Sequence, residues 1–173
     1  MYEHALLVRF SYSDDVMLKE LPGLEQSMRE PNILIVEDVR MIAEYMELIL
    51  FHHGYRVSGV VVSGEEAVVT ALKTMPDVVL MDIKLDGVID GITAAAMIHD
   101  QSDIPIIYVT AYTDKAVFER AMSTNPSAYL HKPFKGNELI DTIQRILDGG
   151  RGVMGLPKLG CPQTTIVSSP GRS

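Results

Sequence analysis

Cysteine occurs once in this chain, tryptophan not at all, and aromatic residues make up only 6%. The lone Cys161 sits in a Gly/Pro/Ser-rich tail, which excludes an intramolecular disulfide and a cysteine-rich zinc site. The five histidines, His4, His52, His53, His99 and His131, share no metal-ligand spacing. Net positive charge is lacking as well: at −8 the chain is ill suited to broad nucleic-acid binding and better suited to collecting a cation. No apolar run approaches the roughly 20 residues of a membrane span, and the N-terminus lacks the basic-then-apolar layout of a secretory signal. These absences predict a soluble cytoplasmic protein in a reducing compartment.

What is present is a middle rich in short β-branched runs. With 173 residues, 47% of them apolar, the chain can bury one good core but not two full-sized domains. Runs at Ile33–Val36, Val57–Val62, Val78–Met81, Ile104–Val109 and Ala128–Leu130 alternate with helical patterns, which predicts an α/β fold with a five-stranded parallel sheet and five helices. Helices are expected at about Met41–His53, from Ser63 to Met75, at Ile92–Asp100, Lys115–Met122 and Gly136–Leu147. Ser63 and Glu66 have the spacing of a capping box, and Gly54 stops the first helix. Met41, Met46, Met75, Met81 and Met97 fall on apolar patterns and are expected in the core.

The two ends differ from this middle. Residues 149–173 are rich in Gly, Pro, Thr and Ser and are expected to be a disordered tail, too short for a folded output domain such as a DNA-binding one. Residues 1–30 are an extension with two readings: Ala5–Val8 as a strand and Val16–Leu18 as helix, or a segment upstream of a natural start at Met28.

Chemistry-bearing residues stand at the carboxyl ends of the predicted strands: Glu37 and Asp38 after the first, Asp82 after the third, Thr110 at the fourth and Lys132 after the fifth. In an open parallel sheet such ends converge on one ligand site. Three gathered carboxylates repel one another unless a cation neutralises them, and magnesium, which prefers hard oxygen ligands and bridges carboxylates to phosphate, fits best. Asp82 is the candidate nucleophile for an aspartyl phosphate. Lys132 offers a point charge to a phosphate oxygen, and the Thr110 hydroxyl with the Ala111 N–H can take the others. A cis peptide at Lys132–Pro133 would aim the ammonium inward.

Residues 31–148, with Glu37-Asp38, Asp82, Thr110 and Lys132 in this order, resemble the receiver domain of two-component response regulators. The resemblance implies a doubly wound, flavodoxin-like sheet of order 2-1-3-4-5, with Asp82 as phosphoacceptor. It implies magnesium held by Asp38, Asp82 and the Lys84 backbone carbonyl, with Glu37 assisting through water. It assigns Thr110 and Lys132 to the phosphoryl group, and Thr110 and Tyr129 to a conformational switch. The implied partners are a sensor histidine kinase and a downstream protein or histidine phosphotransfer protein, with no turnover of external substrates. The chain departs from the pattern in the loop Leu85-Asp86-Gly87-Val88-Ile89-Asp90-Gly91, which looks one residue longer than usual. Ala128 stands where many DNA-binding members carry an acid, which counts against receiver pairing of that type. Tyr112 is bulky enough to crowd a hydrolytic water.

Singly, each residue has a plainer explanation: Asp82 as a turn residue, Glu37 and Asp38 as helix caps, Thr110 and Tyr129 as strand filling, Lys132 as a solvated lysine. Their joint occurrence in order outweighs those explanations. Two rival functions remain on the residues alone. An aspartate-nucleophile phosphatase would need a second acid two residues after its nucleophile, where this chain has Lys84. A pure interaction module would not need the complete cluster.

Overall fold

The structure, a computed structural model, describes residues 29–111 and 114–149. Five strands, β1 (Asn32–Val36), β2 (Arg56–Val61), β3 (Val78–Met81), β4 (Ile106–Thr110) and β5 (Ala128–His131), alternate with five helices, α1 (Arg40–His52), α2 (Gly64–Thr74), α3 (Gly91–His99), α4 (Lys115–Ser123) and α5 (Gly136–Leu147). All pairings are parallel and the order is β2-β1-β3-β4-β5, the doubly wound topology expected. Residues 1–28 and 150–173, on which the extension and tail expectations fall, lie outside the described residues, as does Tyr112.

Strand alternation sorts the core into two layers. On one face Leu34, Val36, Val79, Met81, Ile106, Tyr108 and Tyr129 pack against α2, α3 and Ala121 of α4. On the other, Ile33, Ile35, Val78, Leu80, Ile107, Val109 and Leu130 meet α1 and α5. Strands β3 and β4 are buried throughout and β1 from Ile33 onward, so they read as apolar runs in the sequence. The edge strand β2 is more exposed and carries an irregularity: opposite Ile33 and Leu34 it places Val57 and Gly59, skipping Ser58. The Ser58 hydroxyl donates to the Ile33 carbonyl at 3.2 Å beside this irregularity.

Helix ends follow local chemistry. Ser63 caps α2 by accepting the Glu66 N–H at 3.3 Å, but Glu66 reaches back to the Val62 N–H and not to that of Ser63. Met75 ends α2 in the left-handed region, φ 45°, and Gly54 after α1 has φ 75°. Strand β4 begins at Ile106, two residues later than expected, because Pro105 has no N–H to contribute and instead accepts from Val79 N–H at 2.9 Å. The methionine expectation holds for Met46 and Met81 only. Met41 and Met97 are exposed, since the apolar pattern of their helices extends beyond the face that meets the sheet, and Met75 is exposed as the left-handed residue that follows α2.

Candidate functional site

Backbone ladders that continue past the strand ends fix the site. The Glu37 N–H donates to Val61 O and the Asp82 N–H to Val36 O, both at 2.9 Å, so the acids following β1 and β3 stay in register with their neighbours. The Lys132 N–H donates to Thr110 O at 2.9 Å and holds the residue after β5 beside the end of β4. The Lys132–Pro133 peptide is cis.

Four of the predicted residues converge. Glu37, Asp38 and Asp82 each present a carboxylate oxygen within 4.8 Å of the others, with Glu37 and Asp82 buried. The Lys132 ammonium bridges two of them, donating to Glu37 Oε2 at 2.5 Å and to Asp82 Oδ2 at 2.6 Å. Burial pushes the Glu37 carboxyl above its ordinary range, and the hydrogen bond from Lys132 works in the opposite direction. Its other oxygen accepts the Val39 N–H at 3.3 Å, which orients it at the head of α1. An all-carboxylate donor set at this spacing, with one partly exposed member, fits a hard divalent cation such as magnesium.

The remaining predicted residues lie around this cluster. Lys84 donates its N–H to Asp82 Oδ1 at 3.3 Å, and its side chain is exposed. Thr110 is fully buried at the end of β4, and Ala111 follows it at the surface. Tyr129 is buried one layer below, with Phe118 of α4 edge-on to its ring at 5.2 Å and Tyr108 at 6.2 Å. The Tyr108 hydroxyl hydrogen-bonds Thr124 Oγ1 at 2.8 Å. Burial raises both tyrosines to about 12, opposed at Tyr108 by that bond and helped at Tyr129 by the charge of Asp82.

Two residues outside the predicted set frame the loop that follows Asp82. Gly91, the first residue of α3, donates its N–H to Ile83 O at 2.9 Å and lies against the Asp82 carbonyl. Glu65, in the first turn of α2, accepts the N–H groups of Val88 and Ile89 at 2.7 and 3.2 Å. The unusual loop was visible in the sequence, but its partner is 23 residues away from Val88 and no local pattern announces it.

Residues 33–144 match the response regulator receiver domain family. The transcriptional regulatory protein PdtaR of Mycobacterium tuberculosis H37Rv is 36% identical over 72% of this chain, and the matched region spans 60% of PdtaR, so this chain covers less than two thirds of that relative. The signal receiver domain of a modulated diguanylate cyclase from Desulfovibrio desulfuricans G20 is 39% identical, with a TM-score of 0.67 over 70% of this chain and 96% of that one. The receiver domain of the sensor histidine kinase PA1611 from Pseudomonas aeruginosa PAO1, with magnesium coordinated in its active-site cleft, is 35% identical, with a TM-score of 0.64 over 69% of this chain and 99% of that one. Among the described residues no helix is long and apolar enough to cross a membrane. On its residues, its sheet order and these likenesses, the chain belongs to the response regulator receiver domain family of two-component signal transduction.

Proposed function

We propose that this chain is a phosphoacceptor signalling protein of the cytoplasm, in which Asp82 receives a phosphoryl group from the phosphohistidine of a sensor histidine kinase. The observation that carries the reading is the Asp82 carboxylate at the end of β3, flanked by Glu37 and Asp38 and held by Lys132 at 2.6 Å. An Asp82 carboxylate oxygen attacks phosphorus, the P–N bond to the donor imidazole breaks, and the electron pair leaves with that nitrogen. Asp38, Asp82 and the Lys84 backbone carbonyl, with Glu37 assisting through water, would hold magnesium, which when bound would supply positive charge to the transferring oxygens. Lys132 exchanges its contact with Asp82 Oδ2 for a phosphoryl oxygen, and the Thr110 hydroxyl and Ala111 N–H bind the others.

The signal is a shift between two states: Thr110 moves toward the phosphoryl group and Tyr129 changes its packing, remodelling the surface around α4, β5 and α5 for a partner protein or a histidine phosphotransfer protein. The same assignment makes residues 31–148 the receiver and expects no turnover of external substrates. The test is labelling by a small acyl phosphate with Mg2+, where wild-type protein takes up one acid-labile phosphoryl group and Asp82→Asn takes up none. Persistent labelling of Asp82→Asn would overturn the acceptor assignment, and sustained hydrolysis of phosphate esters would favour a phosphatase.

A further inference from the structure

The loop from Asp82 to Gly91 is fastened at its base and again at its tip. At the base the Gly91 N–H donates to Ile83 O at 2.9 Å, and the Gly91 Cα faces the Asp82 carbonyl too closely for any side chain. Inside the loop the Lys84 N–H reaches Asp82 Oδ1 at 3.3 Å, so the path of residues 83–85 and the orientation of the Asp82 carboxylate are linked.

The tip is held by the first turn of α2. Glu65 Oε1 accepts from both Val88 N–H, 2.7 Å, and Ile89 N–H, 3.2 Å. Glu65 Oε2 lies over Gly87, which has φ 129°; a Cβ there would stand 2.6 Å from that oxygen. Gly64 packs on Ile89 so closely that a Cβ would be 2.7 Å from its carbonyl oxygen, and Ser63 forms a parallel bridge with Asp86. The Glu65 carboxyl is held below its ordinary range, first by its own backbone N–H and then by that of Val88. Without Glu65 the turn at Gly87–Ile89 would present two N–H groups with no side-chain acceptor; Val88 at its tip is 95% exposed, and the apolar hold on the turn comes from Ile89, which packs against the core.

We propose that Glu65 is a positioning residue for chemistry at Asp82: by clamping the tip of the 82–91 loop to α2 it fixes the path of Lys84, and with it the oxygens offered to the divalent cation. The inference rests on the acceptor reading above. Glu65 touches neither the cation nor the phosphoryl group. Its influence passes through the loop, whose other end is locked by Gly91, so slack at the tip is taken up between residues 83 and 88. Groups that orient metal ligands from behind typically change affinity by about 10- to 100-fold when removed.

Reach and charge are separable. Glu65→Gln keeps an acceptor oxygen at the same distance without the charge, whereas Glu65→Asp keeps the charge at the head of α2 but is one methylene too short to span to Val88. In the full-length chain, Glu65→Asp and Glu65→Ala should raise the Mg2+ concentration for half-saturation about tenfold. This is read from amide NMR shifts without any phosphodonor, and the Val88 and Ile89 amides should exchange faster with solvent. Glu65→Gln should stay within about twofold of wild type, on the view that reach and not charge fixes the loop. Wild-type Mg2+ saturation in a folded Glu65→Asp, or a Glu65→Gln defect matching that of Glu65→Asp, overturns the clamp. Should Glu65→Ala fail to fold, the Asp and Gln variants decide the matter alone. Labelling of Asp82→Asn by acyl phosphate would instead remove the acceptor reading, leaving the Mg2+ and exchange results to stand or fall separately.

Discussion

The carbonyl oxygen of Asp82 occupies the space a side chain on Gly91 would need: a Cβ built there falls 1.8 Å from it. The first turn of α3 is therefore seated backbone to backbone on the candidate acceptor residue. The obstacle is main chain, which cannot rotate away as a side-chain tip could, so Gly91→Ala must push α3 off the loop or displace Asp82. Overpacked positions typically cost about 1–3 kcal/mol, and the expectation here is the upper part of that range. Urea unfolding should show the loss, and acyl-phosphate labelling of the folded fraction should slow. A Gly91→Ala protein with wild-type stability and labelling would mean that α3 and the loop separate freely.

Tyr108 and Tyr129 make the alkaline limb of stability a measure of packing beneath the site. Both have folded-state values raised to about 12 from 10.0, chiefly because burial penalises the phenolate. The unfolded chain thus loses protons first as pH rises. The stabilisation is whole below pH 10 and is lost progressively as pH approaches 12, with a slope of up to about 1.4 kcal/mol per pH unit for each tyrosine. Urea unfolding in steps through this window should show the decline. Tyr108→Phe should reduce the slope by about half, while costing the bond to Thr124 at every pH. A slope unchanged by Tyr108→Phe would assign the alkaline loss to other groups.

Parallel sheets expose their order in sequence because central strands, buried on both faces, become short unbroken apolar runs; hence β1, β3 and β4 were legible with their terminal Glu37, Asp82 and Thr110. Their convergence followed from a general property of such sheets. Less legible was anything set by contacts between distant loops. Glu65 looks like an ordinary acidic residue in the first turn of a helix, and only the fold brings it to Val88 and Ile89. Likewise nothing in the sequence marked Asp90 for its pairing with Arg120, 30 positions away. The skipped Ser58 in β2 escaped notice because an edge strand that is half exposed tolerates either register of its small residues.

Lys132 holds two buried carboxylates, and its removal should separate folding from cation binding. In Lys132→Met, Glu37 and Asp82 lose the ammonium that now lies within 2.6 Å of both. Removing one partner of a buried ion pair typically costs about 3–5 kcal/mol, and a loss of this order is expected in metal-free protein. Added Mg2+ should restore most of it, because the carboxylates that would hold the cation are intact. The check is urea unfolding of wild type and Lys132→Met, each with and without Mg2+. If Mg2+ stabilises the variant less than the wild type, Lys132 helps to build the cation site and is not merely its substitute.

Arg120 joins α4 to the head of α3 through Asp90, the residue that caps α3 by accepting the Thr93 N–H at 2.9 Å. Burial alone would raise the Asp90 carboxyl, but the Thr93 N–H and Arg120 together carry it below its ordinary range. The Arg120 side chain is half exposed, so its pairing should be worth no more than about 1 kcal/mol, and Arg120→Ala should scarcely alter stability. The consequence lies elsewhere. Helix α4 also carries Phe118, edge-on to Tyr129, so a single helix contacts both Tyr129 and Asp90. In Arg120→Ala the Asp90 carboxyl should titrate at higher pH than in wild type, because only the Thr93 contacts remain to depress it. Because a depressed carboxylate stabilises the fold above its unfolded pKa and ceases to do so as pH falls, the variant should lose less stability on acidification. A carboxyl NMR titration of Asp90 in both proteins checks the shift, and an unchanged value would show that the ion pair does not persist in solution.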